Sequence, residues 1–298
     1  MAEQTMTAQM ETKPGFIAAL DQSGGSTPGA LRQYGIPESA YSGEEEMFRL
    51  MHEMRVRIMT APAFSGDKVI GAILFERTMD GQAQGLPVPT YLWRERGVVP
   101  ILKVDKGLAP EAHGASVMKP IAGLDALLER AAKLGVWGTK MRSVINLADP
   151  DGVRAVVAQQ FEIGAQILAH GLVPIIEPEV SIKSPDKQGA EQLLHDEILR
   201  HLESVPQGRK VLLKLTIPTV PDLYEGLTKH PKVGRVVALS GGYTRDEACA
   251  KLAKNHGMIA SFSRALTEGL TKQMNDAAFD ATLGAAIKEI FEASTIKN

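Results

Sequence analysis

Two kinds of periodicity alternate along the chain from end to end. Short runs of β-branched and aliphatic residues are separated by segments whose apolar positions recur every three or four residues. The first pattern is that of buried strands and the second that of amphipathic helices. Gly15-Phe16-Ile17-Ala18-Ala19-Leu20 is the first strand, closed by Asp21. A Gly/Ser loop follows over 22–29. From Glu44 to about Thr60 the pattern predicts a helix with Met47, Leu50, Met51, Met54 and Ile58 on one face. That methionine stripe reads as core packing. Further strands are predicted at 69–75, 98–104, 136–144, 172–180, 210–217, 234–239 and 258–262. Helical segments are predicted at 90–96, 124–134, 190–203, 222–228, 244–255 and 276–293. Asp149-Pro150 opens a long helix with a capping residue and a proline in its first turn, and Gly171 ends it.

Strand and helix in strict alternation point to an α/β protein, a (β/α)8 TIM barrel. The rival is an open doubly wound sheet, which calls for a nucleotide-binding glycine fingerprint after its first strand. The Gly24-Gly25 loop lacks the G-x-G-x-x-G spacing. With no repeat and no low-complexity linker, residues 14–298 are expected to form a single domain. Residues 1–13 are polar and methionine-dotted, and are expected to be a loose arm.

Composition narrows the function. The 298 residues suit one barrel, which takes about 250. Acidic and basic residues nearly cancel, 35 against 33, so there is no global basic field for nucleic acid or an anionic membrane. No run approaches the roughly 18 apolar residues of a membrane span. The first dozen residues carry no apolar signal region. A lone cysteine, Cys249, excludes an internal disulfide and fits a reducing cytoplasm. No two histidines stand four apart, so a histidine metal site is not expected, and no cofactor is called for.

The chemistry concentrates at the ends of the strands. Lys214 lies near the C-terminal end of the sixth, in Lys210-Val211-Leu212-Leu213-Lys214-Leu215-Thr216-Ile217-Pro218. An amine screened from water loses part of its preference for the charged form, and a free amine attacks a ketone to give a Schiff base. Read alone, such a lysine is more often a snorkelling or ion-paired residue. Its neighbours change that balance. The first strand ends in Asp21, the third in Lys103, and the fourth in Lys140 and Arg142. The fifth ends in Glu177 and Glu179, the seventh in Ser240-Gly241-Gly242, and the eighth in Ser263-Arg264. Side chains alternate along a strand, so Lys140 and Arg142 share a face, as do Glu177 and Glu179. With those faces inward, four cations and three carboxylates meet at the barrel mouth, where barrel enzymes place their catalytic groups. A plug of salt bridges is the alternative, but burying so many charges for stability alone is unprofitable. Ser240-Gly242 precedes a helix opening near Thr244, an arrangement that welcomes an oxyanion, and Arg264 would stand beside it. Ser23, Ser26 and Lys103 offer a second anion site opposite.

Taken together and in order, these segments resemble class I fructose-bisphosphate aldolase, the metal-independent, Schiff-base type. The resemblance runs through Ala19-Leu20-Asp21, Ile101-Leu102-Lys103-Val104-Asp105-Lys106-Gly107, Lys140-Met141-Arg142 and Pro174-Ile175-Ile176-Glu177-Pro178-Glu179. It continues through Leu212-Leu213-Lys214, Leu239-Ser240-Gly241-Gly242 and Phe262-Ser263-Arg264-Ala265-Leu266. It implies that Lys214 forms the iminium, that Glu177 moves protons, that Asp21 takes the hydroxyl proton, and that Lys140 holds positive charge beside Lys214. Glu179 would set the charge and position of its neighbours. Ser240, Gly241, Gly242, Ser263 and Arg264 would hold the 1-phosphate end of a sugar phosphate. Ser23, Ser26, Lys103 and Arg142 would hold the 6-phosphate end. Other Schiff-base aldolases and a transaldolase are the enzymatic alternatives; a non-catalytic sugar-phosphate module would need neither Lys214 nor Glu177. Two departures stand out. Gln22 occupies a position where animal members carry Glu, and the basic residues that follow this loop in those members are missing, with Arg32 the nearest cation. The chain also ends at Asn298 without a tyrosine-ended tail, as in a shorter, bacterial-type member. Members are often homo-oligomers, and the resemblance extends that option to this chain without locating an interface.

Overall fold

The computed structural model describes residues 2–298. Eight strands form the closed barrel: β1 Phe16–Leu20, β2 Val69–Leu74, β3 Val99–Lys103, β4 Gly138–Ile145, β5 Val173–Val180, β6 Val211–Thr216, β7 Val233–Leu239 and β8 Met258–Phe262. Each pairs in parallel with the next. The seam closes through β8 on β1, with Ile17 opposite Ser261 and Ala18 opposite Phe262. All eight strands lie within about two residues of their predicted positions. They were legible because both faces of a barrel strand are buried, which writes near-continuous apolar runs into the sequence.

The two faces feed two cores. The outer one packs residues such as Phe16, Ala18 and Leu20 against the helices, including Met47, Met51, Met54 and Ile58. Those four lie on helix α3 (Gly43–Thr60) and form the predicted methionine stripe. The inner core fills the barrel with Ile17, Ala19, Ile70, Val99, Ile101, Ile175, Leu212, Val237 and Ile259. Stepping two residues along the same face leads from apolar to polar. Ile17 and Ala19 lead to Asp21, and Val99 and Ile101 to Lys103. Ile175 leads to Glu177 and Glu179, Leu212 to Lys214, and Ile259 to Ser261 and Ser263. Strand periodicity therefore carries an oily floor up into a charged mouth.

The floor is closed by an element the sequence reading expected to be a loose arm. Residues Ala2–Thr12 form helix α1, with Met6 and Met10 buried in the inner core. The helix is tied to the barrel bottom by polar contacts. Gln9 Nε2 donates to the carbonyls of Ile70 and Gly97, each at 2.8 Å. Trp137 Nε1 donates to Thr7 Oγ1 at 2.9 Å, and Arg235 Nε to the Met10 carbonyl at 3.0 Å. Only two of its apolar side chains are buried, too few to write a helical stripe, so the segment reads as polar until its docking surface is known.

Several smaller elements were not foreseen, two of them next to the loops after β1 and β2. Thr27–Gln33 is a short helix, α2, directly after the Gly/Ser loop. Gln82–Ala83 and Leu86–Pro87 make a small hairpin whose turn residues Gln84 and Gly85 both have positive φ, the geometry of a type I′ turn. The expected cap at Asp149 is present: its side chain accepts from the backbone N–H groups of Asp151 and Gly152. Among the described residues, no helix is long and apolar enough to cross a membrane.

If α1 is part of the fold, Met10→Ala will lower stability by about 2–5 kcal/mol. Urea unfolding checks this; an unchanged midpoint would restore the loose arm.

Candidate active site

A cavity of about 810 Å³ opens where the strands end. Every site residue expected from the sequence lines it except Gly242. Gly242 lies beside it: a side chain there would begin 3.5 Å from Arg264 Nη2. A second cavity, about 720 Å³, lies on the outside between α3 and the C-terminal helix Asp276–Thr295, away from all these residues.

At the centre is a line of buried charge. Lys214 Nζ is 3.0 Å from Glu177 Oε1. Glu177 Oε2 is 2.9 Å from Lys140 Nζ, and Lys140 Nζ is 2.6 Å from Asp21 Oδ2. All four side chains are at most 9% exposed. Burial pushes the Asp21 carboxyl up, but the positive charges of Lys140, Lys214 and Lys103 outweigh it and hold Asp21 well below the usual carboxylate range. Burial likewise pushes Lys140 down. Asp21, Glu177 and Asp105 outweigh it and hold Lys140 above its ordinary value, firmly protonated. The ion pair at Glu177 Oε2 is not aligned as a hydrogen bond, which leaves this buried oxygen with acceptor capacity to spare.

Outside this line stand two more pairs. Lys103 Nζ is 2.7 Å from Asp105 Oδ1, and Arg142 Nε is 2.5 Å from Glu179 Oε2. The Asp105 carboxylate completes the count: four cations face four carboxylates, where the sequence reading had three. Ser240 and Gly241 form one rim, with Gly241 at φ +61° and Gly242 at φ +114°, conformations that suit glycine. Thr244 beyond them caps the helix Arg245–Leu252 in a capping box with Glu247. Ser23 and Ser26 line the cavity from the loop after β1, joined to each other by Ser26 Oγ donating to the Ser23 carbonyl at 2.8 Å.

The sequence reading missed the residues that support this layer from behind. Gln160, fully buried on the helix Pro150–Ala169, donates to Ser143 Oγ at 3.0 Å and accepts from the Glu177 backbone N–H at 2.9 Å. Arg55, on α3, is 1% exposed; it donates to Thr78 Oγ1 at 2.8 Å and to the Gln22 carbonyl. Burial lowers the Arg55 guanidinium to about 10, against the opposing pull of Asp21. Gln22 Nε2 in turn donates to Ser263 Oγ at 2.8 Å, joining the loops after β1 and β8. A signal for Arg55 existed: it lies four residues after Met51 and three before Ile58, on the apolar stripe. Arg32, the nearest cation to the missing basic positions, is largely exposed, pairs with Glu38 at 3.3 Å and does not line the cavity. Among the described residues, one trio could bring metal-ligating atoms together, His113, Asp149 and Asp151. It lies at the surface, and Asp149 is already the helix cap.

The family model for fructose-bisphosphate aldolase class-I matches residues 4–217, which include Asp21, Lys140, Glu177 and Lys214. The chain belongs to this family. Two curated class 1 fructose-bisphosphate aldolases agree along almost its whole length. The protein from Synechocystis sp. is 56% identical over 291 residues, covering 98% of this chain and 97% of its own. That from Porphyromonas gingivalis is 54% identical over 286 residues, covering 96% and 97%. The barrel also superposes on a crystallised fructose-bisphosphate aldolase of Plasmodium falciparum with a TM-score of 0.74, at 21% identity and covering 100% of this chain and 95% of that one. That likeness attests the fold. Membership in this metal-independent, Schiff-base family fits a site in which cations and carboxylates, rather than histidines or thiolates, surround a lysine.

If Gln160 fixes Glu177, Gln160→Leu leaves the Glu177 N–H and Ser143 Oγ without their partner. The expected loss is about 2–4 kcal/mol of stability, read by chemical denaturation. Turnover should also fall more than substrate affinity.

Proposed function

We propose that this aldolase cleaves fructose 1,6-bisphosphate reversibly to dihydroxyacetone phosphate and glyceraldehyde 3-phosphate. In the cell this is a step of glycolysis and gluconeogenesis, and we assign it to the cytoplasm. The observation that carries the reading is the unbroken Lys214–Glu177–Lys140–Asp21 line at the barrel mouth, in a cavity also lined by Ser23, Ser26, Lys103, Ser240, Gly241 and Arg264.

Each member of the line then has a task. Lys214, as the free amine, attacks the ketone carbon of the substrate. Glu177 is within direct reach of that nitrogen, so it can give and take the protons of carbinolamine formation and of water loss. The resulting iminium accepts the electron pair of the breaking carbon–carbon bond and becomes an enamine. The proton of the neighbouring hydroxyl passes to Asp21, which Lys140 holds in its acceptor form at any ordinary pH. Glyceraldehyde 3-phosphate leaves, the enamine carbon is protonated, and water releases dihydroxyacetone phosphate from Lys214. Lys140 stays charged throughout and keeps a positive potential beside the developing oxyanion. Glu179 orients Arg142 and tempers its charge.

Ser240, Gly241, Gly242, Ser263 and Arg264 receive the 1-phosphate; Ser23, Ser26, Lys103 and Arg142 receive the 6-phosphate.

Lys214→Met is expected to abolish cleavage of fructose 1,6-bisphosphate while the variant still binds the sugar phosphate. Glu177→Gln should lower kcat by about 10²–10⁴-fold. Coupled steady-state assays and ligand titration check both. Full activity in Lys214→Met would sink the mechanism.

A further inference from the structure

The two phosphate ends of the cavity differ in how their cations are committed. At the 1-phosphate end Arg264 is exposed. Among the described residues, no ion pair engages its guanidinium. At the other end each cation already has an acidic partner. Lys103 Nζ lies 2.7 Å from Asp105 Oδ1 and donates to the Asp105 carbonyl at 2.9 Å. Arg142 Nε lies 2.5 Å from Glu179 Oε2, and Lys106 Nζ lies 2.6 Å from Glu76 Oε2. Asp105 is the most deeply built of these anions, with a side chain 4% exposed. Its Oδ1 also accepts from the Gly107 N–H at 3.3 Å, and its Oδ2 from the Arg142 N–H at 3.2 Å. Three contacts, from the end of β3, the loop that follows it and β4, hold this carboxylate in the cavity wall. A phosphate arriving here must share Lys103 with a fixed negative charge and sit close to that charge.

We infer that Asp105 is a specificity-determining residue: an internal counter-anion that limits what the second phosphate of a ketose bisphosphate contributes to turnover. The inference rests on the reading of the cavity as a ketose-phosphate site. Its consequence is weak discrimination between ketose bisphosphates and ketose 1-phosphates. Two uncommitted cations on a phosphate dianion would favour the bisphosphate by about 10²–10⁴-fold, since hydrogen bonds to charged groups are among the stronger ones. With both cations already paired, the preference should fall below about 100-fold.

The test compares kcat/KM for fructose 1,6-bisphosphate and fructose 1-phosphate in the full-length enzyme and in Asp105→Asn. Asparagine keeps the shape and an acceptor for Lys103 and Gly107; it removes the charge and the acceptor that faces the Arg142 N–H. The parent is expected to prefer the bisphosphate by less than about 100-fold, and the variant to raise that ratio by about tenfold through a lower KM for the bisphosphate. A general structural loss would depress both substrates together and leave the ratio where it was. A variant ratio equal to or below the parent's overturns the inference. So does a parent ratio above about 100-fold, which needs no variant that folds. Absence of any cleavage by the parent overturns the aldolase reading itself, a result distinct from either.

Discussion

Everything at the mouth of this barrel depends on one constraint: charges taken out of water must be answered by charges or hydrogen bonds. Glu177 meets two lysines, and Lys140 meets two carboxylates. Removing Lys140 would leave Asp21 buried and unanswered, and removing Glu177 would do the same to Lys214. That is a costly way to stabilise a fold, and in the proposed mechanism it holds a reactive amine, a proton carrier and a base in fixed order. The cost is met by the rest of the barrel. Beneath the charged layer lies an inner core of aliphatic side chains, sealed at the far end by α1. Around it, the outer core locks the strands against their helices.

The charged layer is also held from behind. Gln160 reaches in from its helix to the backbone of Glu177, and Arg55 reaches from α3 to the backbone of Gln22, next to Asp21. These contacts fix main-chain atoms rather than the reacting groups. They explain how strands can present side chains with little freedom to move, which preorganisation requires.

The sequence made the strands and most of the site legible for the same reason. A barrel strand buried on both faces writes an apolar run, and a polar residue ending that run must be at the mouth. Lys103, Lys140, Glu177 and Lys214 were found in this way, and the cavity brings them together. What lay outside that logic was missed. Asp105 follows its strand in a loop, where no periodicity marks its direction. Arg55 and Gln160 are polar residues inside helices whose apolar neighbours drew attention to packing. Helix α1 was read as a loose arm because its burial depends on a surface formed by strands far along the chain. In each case the missing information was tertiary: which groups, distant in sequence, needed a partner.

The central claim is that Lys214 bonds covalently to the ketone. It is tested most directly by mixing the protein with dihydroxyacetone phosphate in excess EDTA, adding borohydride and mapping the product by mass spectrometry. A reduced adduct on Lys214 is the predicted result, formed with no metal available. Unmodified protein would contradict the iminium mechanism, and an adduct on Lys103 or Lys140 would contradict the assignment of Lys214 as the nucleophile.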